Sequence, residues 1–166
     1  MLVHMVTNFG TIILELEAVK APKTVDNFLQ YVRDGHYNGT VFHRVIDKFM
    51  IQGGGFGPGM TQKPARAPIE NEAKNGLRNT RGTVAMARTS DPNSATCQFF
   101  INVVDNDFLN FTAPTATGWG YCVFGKVVDG MHVVDAIKGA PTGSKLGFKD
   151  VPLSDVLIEQ VTLVDK

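Results

Sequence analysis

The sequence predicts a mainly β protein, an antiparallel barrel or sandwich, and three observations lead to this class. About eight short segments are strand-like, whereas only two have the apolar spacing of a helix. The chain has 17 glycines and 8 prolines, which separate these segments as turns. Many short strands with few helices favour antiparallel β structure over an alternating α/β fold. With 166 residues and no linker or repeat, we expect one domain over residues 1–166.

The strands are assigned from alternation of apolar and polar residues. Residues 1–7 and 11–17 alternate in this way around Asn8-Phe9-Gly10, which suits a hairpin turn. The other predicted strands are 40–46, 49–53, 83–87, 98–103, 121–128 and 156–164. Between them, the segments 54–80 and 105–120 lack periodicity. Long loops of this kind are uncommon unless they are functional, so we expect them to frame the site.

The two helices are assigned from apolar residues at helical spacing and from their ends. The first begins at Pro22, since proline suits the first helical turn, and Gly35 stands where a C-terminal cap belongs. The second covers 130–138 and is stopped by Gly139. Each has one apolar face, so we expect both to pack on the β structure.

Charge and composition exclude several classes of function. The 16 basic and 16 acidic residues cancel, so no overall field attracts nucleic acid or an anionic membrane. No apolar run approaches the length of a membrane span. Cys97 and Cys122 are read as two reduced, buried thiols in a chain without a secretion signal. We therefore expect a cytoplasmic protein that binds neither nucleic acid nor membrane.

Two distant apolar segments carry polar side chains on one of their faces. Alternate side chains of a strand point to opposite sides. The purely apolar side, predicted to be core, holds Phe49, Ile51, Phe99 and Ile101. The mixed side holds Met50, Gln52, Gln98, Phe100 and Asn102, and Arg44 of the preceding strand can join it. The repetition favours a binding surface over a core strand with polar ends.

Other kinds of site have little support. The four histidines are scattered without ligand spacing, so we expect no metal and no cofactor. The glycine-rich segment 53–59 lacks the lysine and the helix of a phosphate loop and is interpreted as a close-packed bend. No serine lies in a nucleophile elbow. A conformational reaction on a peptide fits the remaining residues better than hydrolysis does.

Five segments, taken in chain order, resemble the cyclophilin family. They are Phe-His-Arg-Val-Ile (42–46), Phe-Met-Ile-Gln-Gly-Gly (49–54), Ala-Met-Ala-Arg (85–88), the segment 94–101, and Val-Phe-Gly-Lys-Val (123–127). The resemblance spans essentially the whole chain and is closest to the bacterial cytoplasmic type. It implies a closed eight-stranded antiparallel barrel capped by two α-helices, with peptidyl-prolyl cis-trans isomerase activity at a groove on the outside.

The resemblance also implies roles for individual residues. Arg44 matches the catalytic arginine of the family, and Gln52 matches the glutamine that orients it. Gln98 lines an adjoining groove. Ala87 and Arg88 match a segment whose backbone pairs with the residues before proline. The proline pocket is matched by Phe49, Met50, Phe100 and Leu109.

Three positions depart from the common family pattern. Phe108 stands where a tryptophan is common, Tyr121 where a histidine is common, and Arg88 where an asparagine is common. Trp119 lies in an extra loop segment and does not restore the first. Because the tryptophan ring nitrogen donates a hydrogen bond to cyclosporin, we expect weak cyclosporin binding and intact catalysis.

Two functions remain in competition. The first is an isomerase, with no cofactor, that acts on X-Pro bonds of unfolded or flexible polypeptides and assists their folding. The second is a proline-peptide-binding module or holdase chaperone that uses the same groove without turnover. Arg44 and Gln52 favour the enzyme, because a binder has no need of them. We also expect a monomer.

Overall fold

A computed structural model describes residues 1–164 of the chain. Its α-helices are Pro22–Arg33 (α1) and Met131–Lys138 (α2). Its strands are Leu2–Thr7 (β1), Gly10–Leu16 (β2), Thr40–Ile46 (β3), Met50–Gly53 (β4), Phe56–Gly57 (β5), Thr61–Gln62 (β6), Thr83–Met86 (β7), Phe99–Asn102 (β8), Val123–Asp129 (β9), Thr142–Lys145 (β10), Phe148–Pro152 (β11) and Leu157–Val164 (β12). Short 3-10 turns lie at Pro58–Met60, Ala73–Asn75 and Asp107–Leu109.

Eight of these strands close into an antiparallel barrel. Their order around it is β1, β12, β3, β4, β8, β7, β9 and β2, which returns to β1. They are the eight strands that the sequence predicts, with ends that move by at most two residues. Closure decides between barrel and sandwich, and it leaves no open edge in this sheet. The predicted fold class is therefore confirmed.

The two helices bury their apolar faces against the barrel. Helix α1 begins at Pro22, and Gly35 follows it with a φ of 70°, as the predicted cap requires. Its Phe28 ring lies 5.8 Å from the ring of Phe99 and 5.1 Å from that of Phe124, inside the core. Helix α2 buries Val133, Val134 and Ile137. Both predicted helices are thus present, and their buried side chains complete the core that the strands enclose.

Alternation along β4 and β8 separates two apolar clusters. Ile51, Phe99 and Ile101 point inward and are fully buried in the barrel core. Met50 and Phe100 point to the outer side of the same strands. There they join a second cluster, which also contains Ala85, Leu109 and Val123. An apolar cluster on the outside of a closed barrel forms the floor of a surface site.

Two small hairpins lie in segments that the sequence left unassigned. Strands β5 and β6 pair through two residues each, and β10 pairs with β11. The β10–β11 turn uses Leu146 and Gly147, with φ values of 49° and 83°. Leucine is disfavoured in this left-handed region, where Asn-Gly is the usual pair. Because Leu146 stands in the place of Asn, the turn carries no recognisable sequence signal. The Phe56 and Phe148 rings, 5.4 Å apart, hold the two hairpins against each other.

Three further observations concern expectations from the sequence. Cys97 and Cys122 are buried free thiols, as predicted. The predicted domain covers residues 1–166, and its last two residues lie outside the part of the chain that the structure describes. Within residues 1–164, no helix has the length and apolar character needed to cross a membrane.

Candidate active site

A β-bulge brings Arg44 to the outer face of the barrel. The pairing of β3 with β4 shifts register between Phe42 and Arg44. Phe42 and Val45 both face the core although they are three residues apart, which strict alternation does not allow. The extra residue in the bulge is His43, and Arg44 is left exposed. Bulges are used next to active sites to redirect a side chain, and this one redirects the guanidinium.

His43 is enclosed behind Arg44. It is 6% exposed, and its ring lies 4.6 Å from the ring of Phe56. Burial, with a smaller contribution from the charge of Arg44, lowers the pKa of His43 to about 4. Near neutral pH the bulge therefore contains an uncharged imidazole beside a charged arginine.

A chain of hydrogen bonds orients Arg44. Its Nη1 donates to Gln52 Oε1 at 3.4 Å, and Gln52 Nε2 donates to Gln98 Oε1 at 2.9 Å. Gln98 in turn lies against Gly55, where an added Cβ would be 2.5 Å from Gln98 Cγ. The glycine-rich segment is thus close-packed at Gly53, Gly54 and Gly55, as predicted, but not at Gly57 and Gly59, and the lack of a side chain at Gly55 makes room for Gln98.

A pocket of about 140 Å³ opens beside Arg44 and Gln52. Met50 and Phe100 form its floor, and both are almost fully buried. Its lining is Arg44, Phe49, Met50, Gln52, Ala87, Arg88, Phe100, Leu109 and Tyr121. All nine are residues that the sequence analysis assigned to the site. The structure brings them together from six segments of the chain.

The pocket has two halves that differ in how they are built. Strands β3, β4 and β8 carry the strand-borne half, which consists of Arg44, Met50, Gln52 and Phe100. Connecting segments carry the rest of the lining, in which Phe49, Leu109 and Tyr121 form the loop-borne half, beside Ala87 and Arg88. Phe108 is not part of the lining and stacks on Phe49. The ladder of the barrel fixes the first half directly. The second half requires other support.

Phe49 differs from its predicted orientation. Alternation placed it on the core side with Ile51, but it packs on the outer cluster with Met50. Strand β4 begins only at Met50, and Lys48 has a φ of 66°, so the chain turns sharply before the strand. The Phe49 ring stacks on Phe108 at 5.7 Å, and the Arg44 guanidinium carbon lies 6.0 Å from its centre.

Two of the departures from the family pattern interact with each other. The Arg88 guanidinium lies over the Tyr121 ring, 4.5 Å from its centre. Arg88 Nε donates to the Gly120 carbonyl at 2.9 Å, and its Nη1 donates to the Thr89 carbonyl at 2.8 Å. This side chain therefore braces one wall of the pocket against another, and its charge lies at the rim.

Phe108 and Trp119 occupy different places. Phe108 is 74% exposed at the mouth of the pocket. Trp119 packs on Phe111, with the two rings 5.1 Å apart, and is absent from the pocket lining. The indole therefore lies against Phe111, whereas the Phe108 ring stacks on Phe49.

A second groove continues from the pocket past Gln52 and Ala87. Gln98 lines it, as predicted. The sequence analysis missed Thr89, Ser94 and Thr96, which complete it. These residues belong to a polar turn in which Thr89 Oγ1 donates to Ser94 Oγ at 2.8 Å. The run of small polar residues after β7 is the signal that was available for them.

The chemistry of the site is that of binding and polarisation. Across residues 1–164, no cluster of three or more His, Cys, Asp or Glu side chains is arranged to hold a metal ion. The pocket lining contains no cysteine, serine or histidine. What it offers is an apolar socket with one fixed guanidinium at its edge and an extended groove beside it. These features suit a ligand that combines a small apolar ring with an extended chain.

Comparison with known proteins identifies the family. The model of the cyclophilin type peptidyl-prolyl cis-trans isomerase family matches residues 2–163, so the chain belongs to this family. It is 64% identical over 157 residues to peptidyl-prolyl cis-trans isomerase B of Escherichia coli, covering 95% of this chain and 96% of that one. It is 63% identical over 162 residues to peptidyl-prolyl cis-trans isomerase cyp18 of Streptomyces antibioticus, covering 98% of each.

A solved structure gives the same result. The chain superimposes on a cyclophilin type isomerase of Cryptosporidium parvum with a TM-score of 0.85 at 28% identity, covering 100% of both chains. That protein was crystallised in the presence of the dipeptide Ala-Pro. The family and the isomerase activity expected from the sequence are confirmed by these comparisons.

Proposed function

We propose that the chain isomerises X-Pro bonds in the outer pocket, with Arg44 as the catalytic residue and Gln52 as the residue that orients it. The observation that carries this assignment is the hydrogen-bonded chain from Arg44 through Gln52 to Gln98, at the rim of an apolar socket. It presents a guanidinium where the amide of a bound proline would lie.

Rotation about an X-Pro bond needs no bond to another group. Amide resonance resists it with a barrier of about 18–20 kcal/mol, and the unaided reaction takes tens to hundreds of seconds. A catalyst has to bind the twisted amide more tightly than either planar form. A site without a nucleophile or a metal is sufficient for this task.

Arg44 supplies the difference between the twisted and planar states. When the amide twists, its nitrogen regains a lone pair that accepts a hydrogen bond, and the guanidinium has several fixed donors to offer. It also holds the proline carbonyl. Each factor of ten in rate corresponds to about 1.4 kcal/mol, so a few charge-assisted hydrogen bonds account for several decades.

The remaining residues bind the substrate. Phe49, Met50, Phe100 and Leu109 grip the proline ring and keep water from the amide. The residues before proline lie along Ala87, Arg88 and Gln98 in the second groove. Ala87 N–H already donates to the Gln98 carbonyl at 3.0 Å, so its own carbonyl is the group that pairs with the peptide.

The geometry supports a proposal for the substrates. An exposed groove can accept proline-containing segments of unfolded or flexible polypeptides, and we propose a role in protein folding, in the cytoplasm. The Ala-Pro dipeptide used with the Cryptosporidium parvum relative supports the same class of ligand. The charge of Arg88 at the rim favours acidic residues beside the proline. We also propose that the protein acts as a monomer and binds cyclosporin weakly, since Phe108 lacks a ring N–H.

The test is an isomerase assay on an Ala-Pro peptide with wild type and Arg44→Ala in parallel. We expect wild type to accelerate cis-trans exchange and Arg44→Ala to be about 100-fold slower, which corresponds to a barrier about 2.7 kcal/mol higher. Because the Arg44 side chain is exposed, its removal leaves the fold intact. Arg33→Ala, which removes an exposed arginine at the end of α1, is the matched control.

The same assay separates the enzyme from its alternative, a binding module or holdase. A holdase binds the peptide without accelerating exchange, and its binding is indifferent to the loss of catalytic donors. Full exchange activity in Arg44→Ala would refute the role of Arg44. Unaltered exchange with micromolar wild type would refute turnover altogether.

A further inference from the structure

Three buried asparagines lie behind the pocket and take no part in lining it. Asn79 and Asn102 are fully buried, and Asn106 is 3% exposed. Asn102 ends β8, whereas Asn79 and Asn106 belong to loops. An amide buried without partners is costly, so such a cluster is kept only when its hydrogen bonds are satisfied.

The three side chains form one directed chain of hydrogen bonds. Asn106 Nδ2 donates to Asn102 Oδ1 at 2.8 Å, and Asn102 Nδ2 donates to Asn79 Oδ1 at 3.0 Å. The second N–H of Asn102 donates to Thr83 Oγ1 at 3.0 Å, which ties the chain to β7. Bonds that point the same way strengthen one another in a dry interior.

The two ends of this chain terminate on the backbone of the loop-borne half. Asn106 Nδ2 donates to the Phe49 carbonyl at 2.9 Å. Asn79 Nδ2 lies 3.2 Å from the Leu109 carbonyl and 3.2 Å from the Tyr121 carbonyl. Three pocket residues from three connecting segments are thus held by two amide groups.

We propose that Asn79, Asn102 and Asn106 are positioning residues that fix the loop-borne wall of the pocket and so set how tightly the proline ring is bound. This inference rests on the proposed function of the pocket. The barrel ladder does for Met50 and Phe100 what the asparagines do for Phe49, Leu109 and Tyr121. Without the asparagines, Phe49, Leu109 and Tyr121 lose the hydrogen-bond network that connects them.

The position of the network determines which kinetic constant it controls. The wall contacts the proline ring, which keeps its shape in the planar and the twisted states of the amide. A loosened wall therefore weakens binding of both states alike, which raises KM and leaves kcat unchanged. Loss of a donor to the twisted nitrogen, as in Arg44→Ala, lowers kcat instead.

The test compares Asn106→Ala and Asn79→Ala with the control Thr40→Val. In Asn106→Ala, the Phe49 carbonyl keeps the Val103 N–H at 3.1 Å, so this variant retains its fold even if Asn79→Ala does not. Thr40 is fully buried, and its Oγ1 donates to the Tyr37 carbonyl at 2.6 Å, four residues along β3 from Arg44. The control thus removes one buried hydrogen bond away from the pocket.

Exchange NMR on an Ala-Pro peptide gives kcat and KM, and urea unfolding gives the stability of each variant. We expect Asn106→Ala to raise KM about fivefold with kcat within about twofold. Asn79→Ala, which loses two carbonyl contacts, raises KM further. Thr40→Val loses comparable stability without a change in KM.

An unchanged KM in Asn106→Ala overturns the inference. An equal rise of KM in Thr40→Val also overturns it, because the effect would then come from a general loss of stability. The affinity for the peptide is also measured by NMR titration, with the Leu109 methyl signals as a local probe. Absent turnover in wild type overturns the proposed function alone, because the titration still decides whether the asparagines set affinity.

Discussion

The strand-borne and loop-borne halves line one pocket but are stabilised differently. Met50 and Phe100 lie directly opposite ladder partners, since Met50 pairs with Asn102 and Gln52 with Phe100. Leu109 and Tyr121 have no such ladder, and the Tyr121 N–H and Leu109 carbonyl bond to each other at 2.8 Å. Side-chain amides connect that pair to the barrel. The half to which we assign the twisting of the amide is thus built into the sheet.

This division assigns different tasks to the two halves. In the proposed mechanism Arg44 must be held to a fraction of an ångström, because its hydrogen bond to the twisted nitrogen is made only in the transition state. A bulged strand and the Gln52–Gln98 chain provide that rigidity. The loop-borne half contacts the ring and the mouth, where Phe108 is exposed and sequence changes cost little fold stability. We therefore expect catalysis to depend on the strand-borne half and substrate preference on the loop-borne half.

The largest expected effect is a loss of stability in acid, and it concerns His43, the neighbour of Arg44 in the bulge that supports the strand-borne half. The pKa of His43 is lowered from its ordinary value to about 4 by burial, so the unfolded chain binds a proton that the folded chain does not over this interval. Stability is complete above about pH 6.5 and falls as the pH drops towards 4. At about 1.4 kcal/mol per unit of pKa, the loss reaches up to about 3 kcal/mol. Urea unfolding across this pH range measures it.

His43→Gln is the control for this effect, because an amide cannot titrate. This variant should lose most of the pH dependence of stability. The smaller part that remains has the same sign and comes from His36, whose pKa is also lowered chiefly by burial. If the slope between pH 6.5 and 4 is the same in His43→Gln as in wild type, then the bulge does not hold a neutral imidazole.

The next effect concerns the support of Arg44. In Gly55→Ala, the new Cβ would lie within 2.7 Å of Gln98 Cγ, Cδ and Nε2, so Gln98 has to move and Gln52 loses its partner. We expect kcat to fall about tenfold with little change in KM, as for a loss confined to the transition state. Steady-state exchange measurements at several peptide concentrations give both constants.

Gly57→Ala is its matched control. A Cβ there meets nothing nearer than 3.8 Å, and the φ of −88° is ordinary for alanine. Undiminished kcat in Gly55→Ala would mean that Gln98 does not support the catalytic arginine. An equal loss of kcat in both variants would mean that the effect comes from a changed conformation of the glycine-rich segment and not from the hydrogen-bonded chain through Gln98.

The smallest effect concerns the mouth of the loop-borne half. Phe108→Trp adds a ring N–H at an exposed position that stacks on Phe49. One hydrogen bond is worth about 0.5–1.5 kcal/mol, so we expect cyclosporin to bind about fivefold more tightly by calorimetry. Phe9→Trp, in the β1–β2 turn, controls for the added indole. If Phe108→Trp titrates like wild type, the missing donor is not what limits cyclosporin binding.

Much of the fold was accessible from the sequence because its signals are local. Alternation in β4 and β8 sorted Ile51 and Phe99 from Met50 and Phe100, and Pro22 and Gly35 marked the ends of α1. The β10–β11 hairpin was missed because its turn uses Leu146, which carries no turn signal.

The site was accessible in its residues but not in its geometry. Family motifs named Arg44 and its neighbours, whereas alternation misplaced Phe49 and did not foresee the bulge at His43. Bulges depend on packing between strands and not on local composition. The asparagine network joins residues up to 57 positions apart, as Asn106 and Phe49 are, so no local pattern reveals it.

The most direct test of this division is one exchange-NMR experiment on Arg44→Ala and Leu109→Ala. Arg44→Ala should lower kcat about 100-fold with KM within about threefold, since it removes a contact made in the transition state. Leu109→Ala should raise KM about fivefold or more with kcat within about threefold, because it loosens the grip on the ring. A fall of kcat in Leu109→Ala as large as that in Arg44→Ala would contradict the separation of catalysis from binding.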